Sequence, residues 1–314
     1  MDDKKIEELL HKIKIFNETV WEHKVSRKKV FSWLGNFKDE EKTDLLFLLS
    51  QFIYFSKFQI DNMLLSIHRD FFKYSIVEEF RVNNFDTLDE TLIKSHLDDV
   101  LSKTRYVPIG NPSESSAKLY YDFRTINNLK KRLFIEQSEI NNLKGEDIDY
   151  FIFIDDVCGS GSQVSTYTRT SITNIKTNFP DAKIIYYTLV ASQKGFDYVK
   201  SLNYFTSQNS VIFLDDTYKC FSPDSRFLKN NDFGIDVDKL KIVCEKYGYD
   251  LFKSILIRGG EDENLAVHHQ LGFNDGQLML GFHHNTPDNT LPIFWYNEDM
   301  ISWNPIFERK NKVY

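Results

Sequence analysis

Residues 150–163 read Tyr-Phe-Ile-Phe-Ile-Asp-Asp-Val-Cys-Gly-Ser-Gly-Ser-Gln, and this run constrains the chain more than any other. Five apolar residues, Tyr150 to Ile154, form a block short enough to be a strand buried on both faces. Asp155 and Asp156 follow at its carboxyl end. Cys158 then opens a loop of small residues, Gly159-Ser160-Gly161-Ser162, and a helix is expected over 163–173, starting with Gln163. This order suits a sugar phosphate. Carboxylates accept hydrogen bonds from ribose hydroxyls, while loop N–H groups, Ser hydroxyls and a helix dipole wrap a phosphate. A buried strand ending in an ordinary Asp-Asp turn is the plain alternative. A Walker-type loop fits worse because no Gly-Lys-Ser/Thr follows, and a Rossmann loop because its glycines would come directly after the strand.

The surroundings predict a sheet for this strand to join. Residues 1–100 look helical: Ile6, Leu9, Leu10, Ile13 and Phe16 recur at helical spacing, and Ser26 can cap a helix carrying Val30, Trp33 and Leu34. A helix starting at Asp39 or Thr43 would carry Leu45, Leu46, Leu48, Leu49, Phe52, Ile53 and Phe55, apolar nearly all round as buried helices are. Further helices are expected over 59–80 and 88–101. From Tyr106 short apolar runs alternate with helical segments. They predict strands over 106–109, 133–135, 150–154, 184–190 and 211–214, a helix ending near Leu129, and another opened by Ser192-Gln193-Lys194-Gly195-Phe196. Such alternation implies a parallel sheet with helices on both faces, and ligands bind outside the carboxyl ends of such strands. The last hundred residues are less regular, with a helix over 238–247 and a strand over 278–282.

Composition narrows the class. Apolar residues make up 41% of the 314, enough for a substantial core, and a net charge of −7 argues against an extended nucleic-acid-binding face. Cys158, Cys220 and Cys244 lack paired spacing and read as reduced thiols. The start, Met-Asp-Asp-Lys-Lys-Ile, is too charged for a signal peptide, and no run approaches the roughly 20 apolar residues of a membrane span. A cytoplasmic protein is expected, with no membrane partner.

The 150–163 run resembles the 5-phosphoribosyl-1-diphosphate (PRPP) signature of type I phosphoribosyltransferases. That pattern is four apolar residues, two acidic, two apolar, then a small-residue loop. The resemblance implies an α/β fold: a type I phosphoribosyltransferase-like parallel sheet over 102–225, with an N-terminal helical layer over 1–101 and a C-terminal extension over 226–314 packed on the core. It implies that Asp155 and Asp156 take the ribose 2′- and 3′-hydroxyls and act as the catalytic pair. The segment from Cys158 through Gly159, Ser160, Gly161, Ser162 and Gln163 would take the 5′-phosphate. A second loop, Gly110 to Ser116, would bind the diphosphate through Ser115 and Ser116. A third, Ala191 to Phe196, would add Lys194 and Gly195. Magnesium would be held by the ligand's diphosphate with Asp155 and Asp156.

A longer match is carried by Trp33-Leu34-Gly35-Asn36-Phe37, Leu271-Gly272-Phe273, the stretch from Asn285 to Pro292, and Trp295. It resembles the phosphoribosyltransferase-like branch of bacterial conflict systems, which implies a role in anti-phage defence and a protein partner from a defence operon. One departure stands out. Transferases of this class have a long flap ahead of the signature strand, and residues 133–149 are short for one. Two functions follow from the resemblance: a phosphoribosyltransferase or related glycosyltransferase that transfers or cleaves at ribose C1, or a non-catalytic sensor of PRPP or a nucleotide that regulates a partner.

Elsewhere the signals are weaker. His268-His269 and His283-His284 are adjacent pairs, whose side chains would alternate faces on a strand, and neither makes a metal site by itself. Asp215-Asp216 ends the 211–214 strand without a Gly-rich loop and reads first as a turn. Arg258-Gly259-Gly260 reads as a helix exit.

Overall fold

The computed structural model describes residues 3–109 and 114–309, apart from the side chains of residues 3 and 114–117. Six strands occur among the described residues: β1 Ile53–Phe55, β2 Thr104–Pro108, β3 Tyr150–Cys158, β4 Lys183–Ser192, β5 Ser207–Leu214 and β6 Leu280–Phe282. The chain divides into two compact units. Unit 1 joins Met1–Lys57 to Asp215–Tyr314, and unit 2 is the continuous stretch Phe58–Leu214. This division cuts across the expected three-part layout: the helices after residue 57 belong with the sheet, and the first 57 residues belong with the last hundred.

Unit 2 holds a parallel sheet in the order β2-β3-β4-β5. Alternation along each strand assigns its side chains to two faces. Val107, Phe151, Phe153, Ile184 and Tyr186 share one buried face with Val164, Ile172 and Ile175 of the helix Ser162–Asn178 and Phe196 and Val199 of the helix Gln193–Ser201. On the other face Tyr106 packs on Phe123 of the helix Glu114–Ile126, and Tyr150 on Phe72. Helices therefore cover both faces, which is why residues 150–154 read as an unbroken apolar block.

Several elements differ from the sequence expectation. The helix expected over 59–80 runs from Lys57 to Asn83 and contains a π-helical segment, Ile67–Lys73, that its periodicity does not announce. The strand expected over 133–135 is instead a 3₁₀ turn, Lys131–Leu133, followed by a single bridge from Phe134 to Tyr106. The helix expected to reach Phe55 stops at Leu49. Ile53–Phe55 is extended and pairs in parallel with β6, in the register Ile53↔Leu280 to Phe55↔Phe282. The helix over 238–247 extends over Val237–Gly259 and ends on a left-handed Gly260, which makes Arg258-Gly259-Gly260 a helix exit.

Unit 1 is built around the aromatic segments. Trp33 stacks on Phe294 at 5.5 Å, and its Nε1–H donates to the Ile293 carbonyl at 2.7 Å. Trp295 Nε1–H donates to the Thr290 carbonyl at 2.7 Å, while Thr286 and Thr290 hydroxyls donate to Phe307 and Leu280 carbonyls. Asn36 exchanges hydrogen bonds with the backbone of Asn304. The motif residues around 33–37 and 285–295 thus form one buried, hydrogen-bonded core.

No helix among the described residues is long and apolar enough to cross a membrane.

Candidate functional site

The strand order of the sheet is sequential and shows no reversal, so no crevice forms by the usual splitting of crossovers to opposite sides. An opening arises differently. β2 stops at Pro108, opposite Ile154, whereas β3 runs on through Asp155, Asp156 and Val157 to Cys158, paired only with β4 as far as Cys158↔Ala191. The acidic pair therefore lies inside the strand, not after it. Ahead of it the β2–β3 ladder is interrupted by a side chain: the Tyr120 hydroxyl accepts from Ile154 N–H at 3.2 Å and donates to the Val107 carbonyl.

Asp155 is half-buried and accepts from Asp156 N–H at 2.9 Å and from the Tyr186 hydroxyl at 3.4 Å. Withdrawal from water holds its carboxyl well above the usual carboxylate range, and the neighbouring Asp156 charge pushes it in the same direction. Asp156 accepts from Val157 N–H at 2.9 Å. The two carboxyls are hydrogen-bonding neighbours. Cys158 is buried beneath them. Burial pushes its thiol up to about 12, with the Asp155 charge adding to the effect, and its side chain meets Tyr186. Its thiol thus belongs to the core side of the strand.

The loop turns at Gly161, whose φ of 77° is left-handed, and the helix Ser162–Asn178 begins immediately after it. A Cβ on Gly161 would lie 2.8 Å from Tyr198 Cδ1 and 2.9 Å from the Gly195 carbonyl oxygen. Ser160 and Ser162 hydroxyls share a hydrogen bond at 2.7 Å, and Ser162 N–H donates to Ser160 Oγ at 3.3 Å. Ser162 and Gln163 are exposed in the first helical turn, where free N–H groups and the dipole favour an anion.

Gly195 lies against the loop. It is buried, and a Cβ there would sit 2.0 Å from the Gly159 carbonyl oxygen. It lets the helix Gln193–Ser201 press against the loop. Ser192, which the sequence shows only as a helix opener, is the residue that joins them: its Oγ donates to the Gly159 carbonyl at 2.5 Å and accepts from Gly195 N–H at 2.9 Å. A Ser three residues before a Gly at a helix start is the capping signal that could have found it. Lys194 is exposed in the first turn of that helix.

Of the expected diphosphate loop, residues 110–113 lie outside the described residues. Ser115 and Ser116 fall in the first turn of the helix Glu114–Ile126, and their side chains lie outside the description as well.

The segment ahead of β3 folds as 3₁₀ turns at Lys131–Leu133 and Gln137–Leu143, with Ile135, Ile140 and Ile148 in the core. Gln137 fixes it further: its Nε2 donates to the Pro108 carbonyl at 2.7 Å and its Oε1 accepts from the Ser171 hydroxyl at 2.6 Å. Asp215, in unit 1, caps a short turn by accepting from Thr217 N–H at 2.9 Å and pairs with Arg226 at 3.6 Å. His269 Nδ1 accepts from Asn274 N–H at 3.0 Å and its ring stacks on Phe273, a structural use.

With this geometry in place, comparison with known proteins is informative at the family level. The family model described as PRTase-CE matches residues 30–309. No curated protein matches. Among solved structures, the orotate phosphoribosyltransferase from Aeropyrum pernix is similar at 13% identity and a TM-score of 0.24, over 37% of this chain and 62% of that one. The chain thus spans less than two thirds of that enzyme's length.

Proposed function

The chain belongs to the PRTase-CE family, and from that premise we propose that it binds PRPP or a nucleotide at the carboxyl end of β3 and acts at ribose C1. The ribose hydroxyls would meet Asp155 and Asp156, and the 5′-phosphate the turn from Gly159 to Gln163. The diphosphate would lie toward Ser115 and Ser116.

One observation carries the reading. The acidic pair leads within one strand and one loop to a helix N-terminus, and that loop is pinned from below by Ser192 and Gly195. Groups for hydroxyls and groups for an anion are therefore preorganised a few residues apart, where β2 has already ended.

The chemistry follows from the charges. When the C1–O bond breaks, its electron pair leaves with the diphosphate and positive charge develops on the ribose. A carboxylate beneath the ring stabilises that charge. The raised Asp155 carboxyl, when it keeps its proton, can donate it to a ribose oxygen. An acceptor nitrogen or a water completes the transfer at C1. A hard divalent cation that displaces the Asp155 proton would find two adjacent carboxyls as oxygen donors. Magnesium would be held there with the ligand's phosphates, and when bound it would offset their charge.

A second reading, a sensor that binds the same ligand without turnover, is favoured by the segment 131–149. Its short turns are anchored by the buried Leu133, Ile135, Ile140 and Ile148 and bonded through Gln137, which leaves little chain there to close over a reacting ribose. A role in anti-phage defence, with a partner protein, rests on the resemblance of the motif residues alone.

The deciding experiment incubates the protein and magnesium with PRPP plus a panel of bases, and separately with nucleotides, following diphosphate and free base. Turnover that disappears in Asp155→Asn/Asp156→Asn supports the enzyme. Saturable binding without turnover supports the sensor. Wild-type affinity for PRPP and for nucleotides in that double variant would sink both.

A further inference from the structure

On the outer side of β2, the helix Glu114–Ile126 and the segment 131–139 enclose an open cleft of about 730 Å³, within the range of small-molecule sites. Its lining carries Arg124, Lys131 and Arg132 together with Glu136 and Glu139. Among the described residues, none of the three cations enters an ion pair. The Glu139 carboxylate bonds locally instead. Glu139 Oε2 accepts from Glu136 N–H at 2.7 Å, and Glu139 N–H donates to the Glu136 carbonyl at 3.0 Å, which closes the start of the turn Gln137–Leu143. Charges of both signs therefore line one cleft without neutralising each other.

An aromatic ring completes the set. Tyr121 also lines the cleft, is 58% exposed, and has the Arg124 guanidinium 5.4 Å from its ring centre. A ring backed by a guanidinium and flanked by two more cations receives a flat, electron-rich ring that carries phosphate. Carboxylates in the same lining accept from hydroxyl or exocyclic amino groups. A simple inorganic anion would use only the cations, and an apolar molecule only the ring.

We propose that this cleft is a second ligand site that takes a nucleotide unit, with its phosphates on Arg124, Lys131 and Arg132 and its base on Tyr121. Neither Asp155 nor Asp156 lines the cleft, though the two sites share a neighbour. Tyr120 lines the cleft, and its hydroxyl holds the N–H of Ile154, the residue before Asp155. The nucleotide unit can come free or as the 5′-phosphorylated end of a strand, since both present the same chemistry.

The test uses the full chain carrying Asp155→Asn/Asp156→Asn, so that the first site is silenced, and titrates it calorimetrically with ATP. One saturable site is expected. Lys131→Glu/Arg132→Glu should weaken it about ten-fold or more, the loss expected when charge-assisted phosphate contacts go. Tyr121→Ala should weaken ATP comparably but leave tripolyphosphate binding unchanged, since that probe has no ring. A 5′-phosphorylated oligothymidylate that displaces ATP in stoichiometric amounts assigns the strand end as source, and failure to displace assigns the free nucleotide. Absence of saturable ATP binding, or binding indifferent to the charge reversal in variants whose circular dichroism matches the parent, overturns the proposal. If the Asp155/Asp156 substitutions leave PRPP binding intact, the first-site reading fails by itself, and the cleft is then titrated in the presence of saturating PRPP.

Discussion

His68 lies in the π-helical segment Ile67–Lys73 and is only 2% exposed, boxed in by the rings of Phe72, Tyr106 and Phe123. Its Nδ1 shares a hydrogen bond with the Tyr106 hydroxyl at 3.3 Å, and its Nε2 has no hydrogen-bond partner. Burial, with a smaller contribution from the Lys73 charge, pushes its pKa down from 6.5 to about 3. The folded chain thus resists the proton that the unfolded chain accepts. Stability from this residue is complete above pH 6.5 and is lost as pH falls from there toward 3. Each pH unit in that window costs about 1.4 kcal/mol, so unit 2 should lose about 3 kcal/mol on going from neutral pH to about pH 4. That is a sizeable part of an ordinary domain's stability of about 5–15 kcal/mol. Carboxylates also titrate there, so the informative quantity is the difference between the wild-type chain and His68→Gln. All four tryptophans, Trp21, Trp33, Trp295 and Trp303, belong to unit 1, so fluorescence reports that unit. Hydrogen exchange at the amides of β2 to β4, measured in a urea series from about pH 4.5 to 7.5, reports the sheet. The difference should grow steadily below pH 6.5. Parallel profiles for the two chains would refute the reasoning.

Three further outcomes are expected. Tyr120→Phe leaves the Val107 carbonyl and Ile154 N–H unbridged, which should cost about 1–3 kcal/mol in urea unfolding of unit 2, whereas an unchanged midpoint would mean the ladder closes without the hydroxyl. Gly195→Ala sets a methyl 2.0 Å from the Gly159 carbonyl, so the loop must shift; a loss of about 1–3 kcal/mol with loss of PRPP binding is expected, and calorimetry showing intact binding would count against the pinned loop. The raised Asp155 carboxyl supports the fold only while protonated, so its contribution is lost as pH rises. Asp155→Asn should therefore raise the thermal midpoint at neutral pH while removing ligand binding, with about 2–4 °C for each kcal/mol gained, and a lowered midpoint would contradict the assigned direction.

The sequence made the buried strand legible because Phe151, Ile152, Phe153 and Ile154 are covered on both faces and leave no alternation to misread. Its continuation through Asp155 to Cys158 was not legible, since polar residues are extended there by pairing with β4. β1 escaped for a related reason: Ile53–Phe55 follows an all-apolar helix, and only its distant partner β6 makes it a strand. Within the site, residue type pointed to Asp155, Asp156 and the Gly/Ser loop. Ser192 and Gly195 act by close approach to Gly159, which depends on how two helices meet and leaves only a weak mark in sequence.

Because unit 2 is one uninterrupted stretch set between the two halves of unit 1, the order of synthesis separates their histories. Every strand of the parallel sheet has been made by Leu214, so unit 2 holds all its partners while the chain is still growing. The first 57 residues do not. Trp33 must wait for the Ile293 carbonyl, 260 positions later. At about 5–20 residues per second that delay is roughly 10–50 s, during which Trp33, Phe37, Phe47 and Phe52 lack their later aromatic partners Phe294, Trp303, Phe233 and Phe307. A nascent chain stalled after unit 2 would therefore present a folded sheet beside a sticky helical arm, the kind of species that chaperones hold and proteases clip.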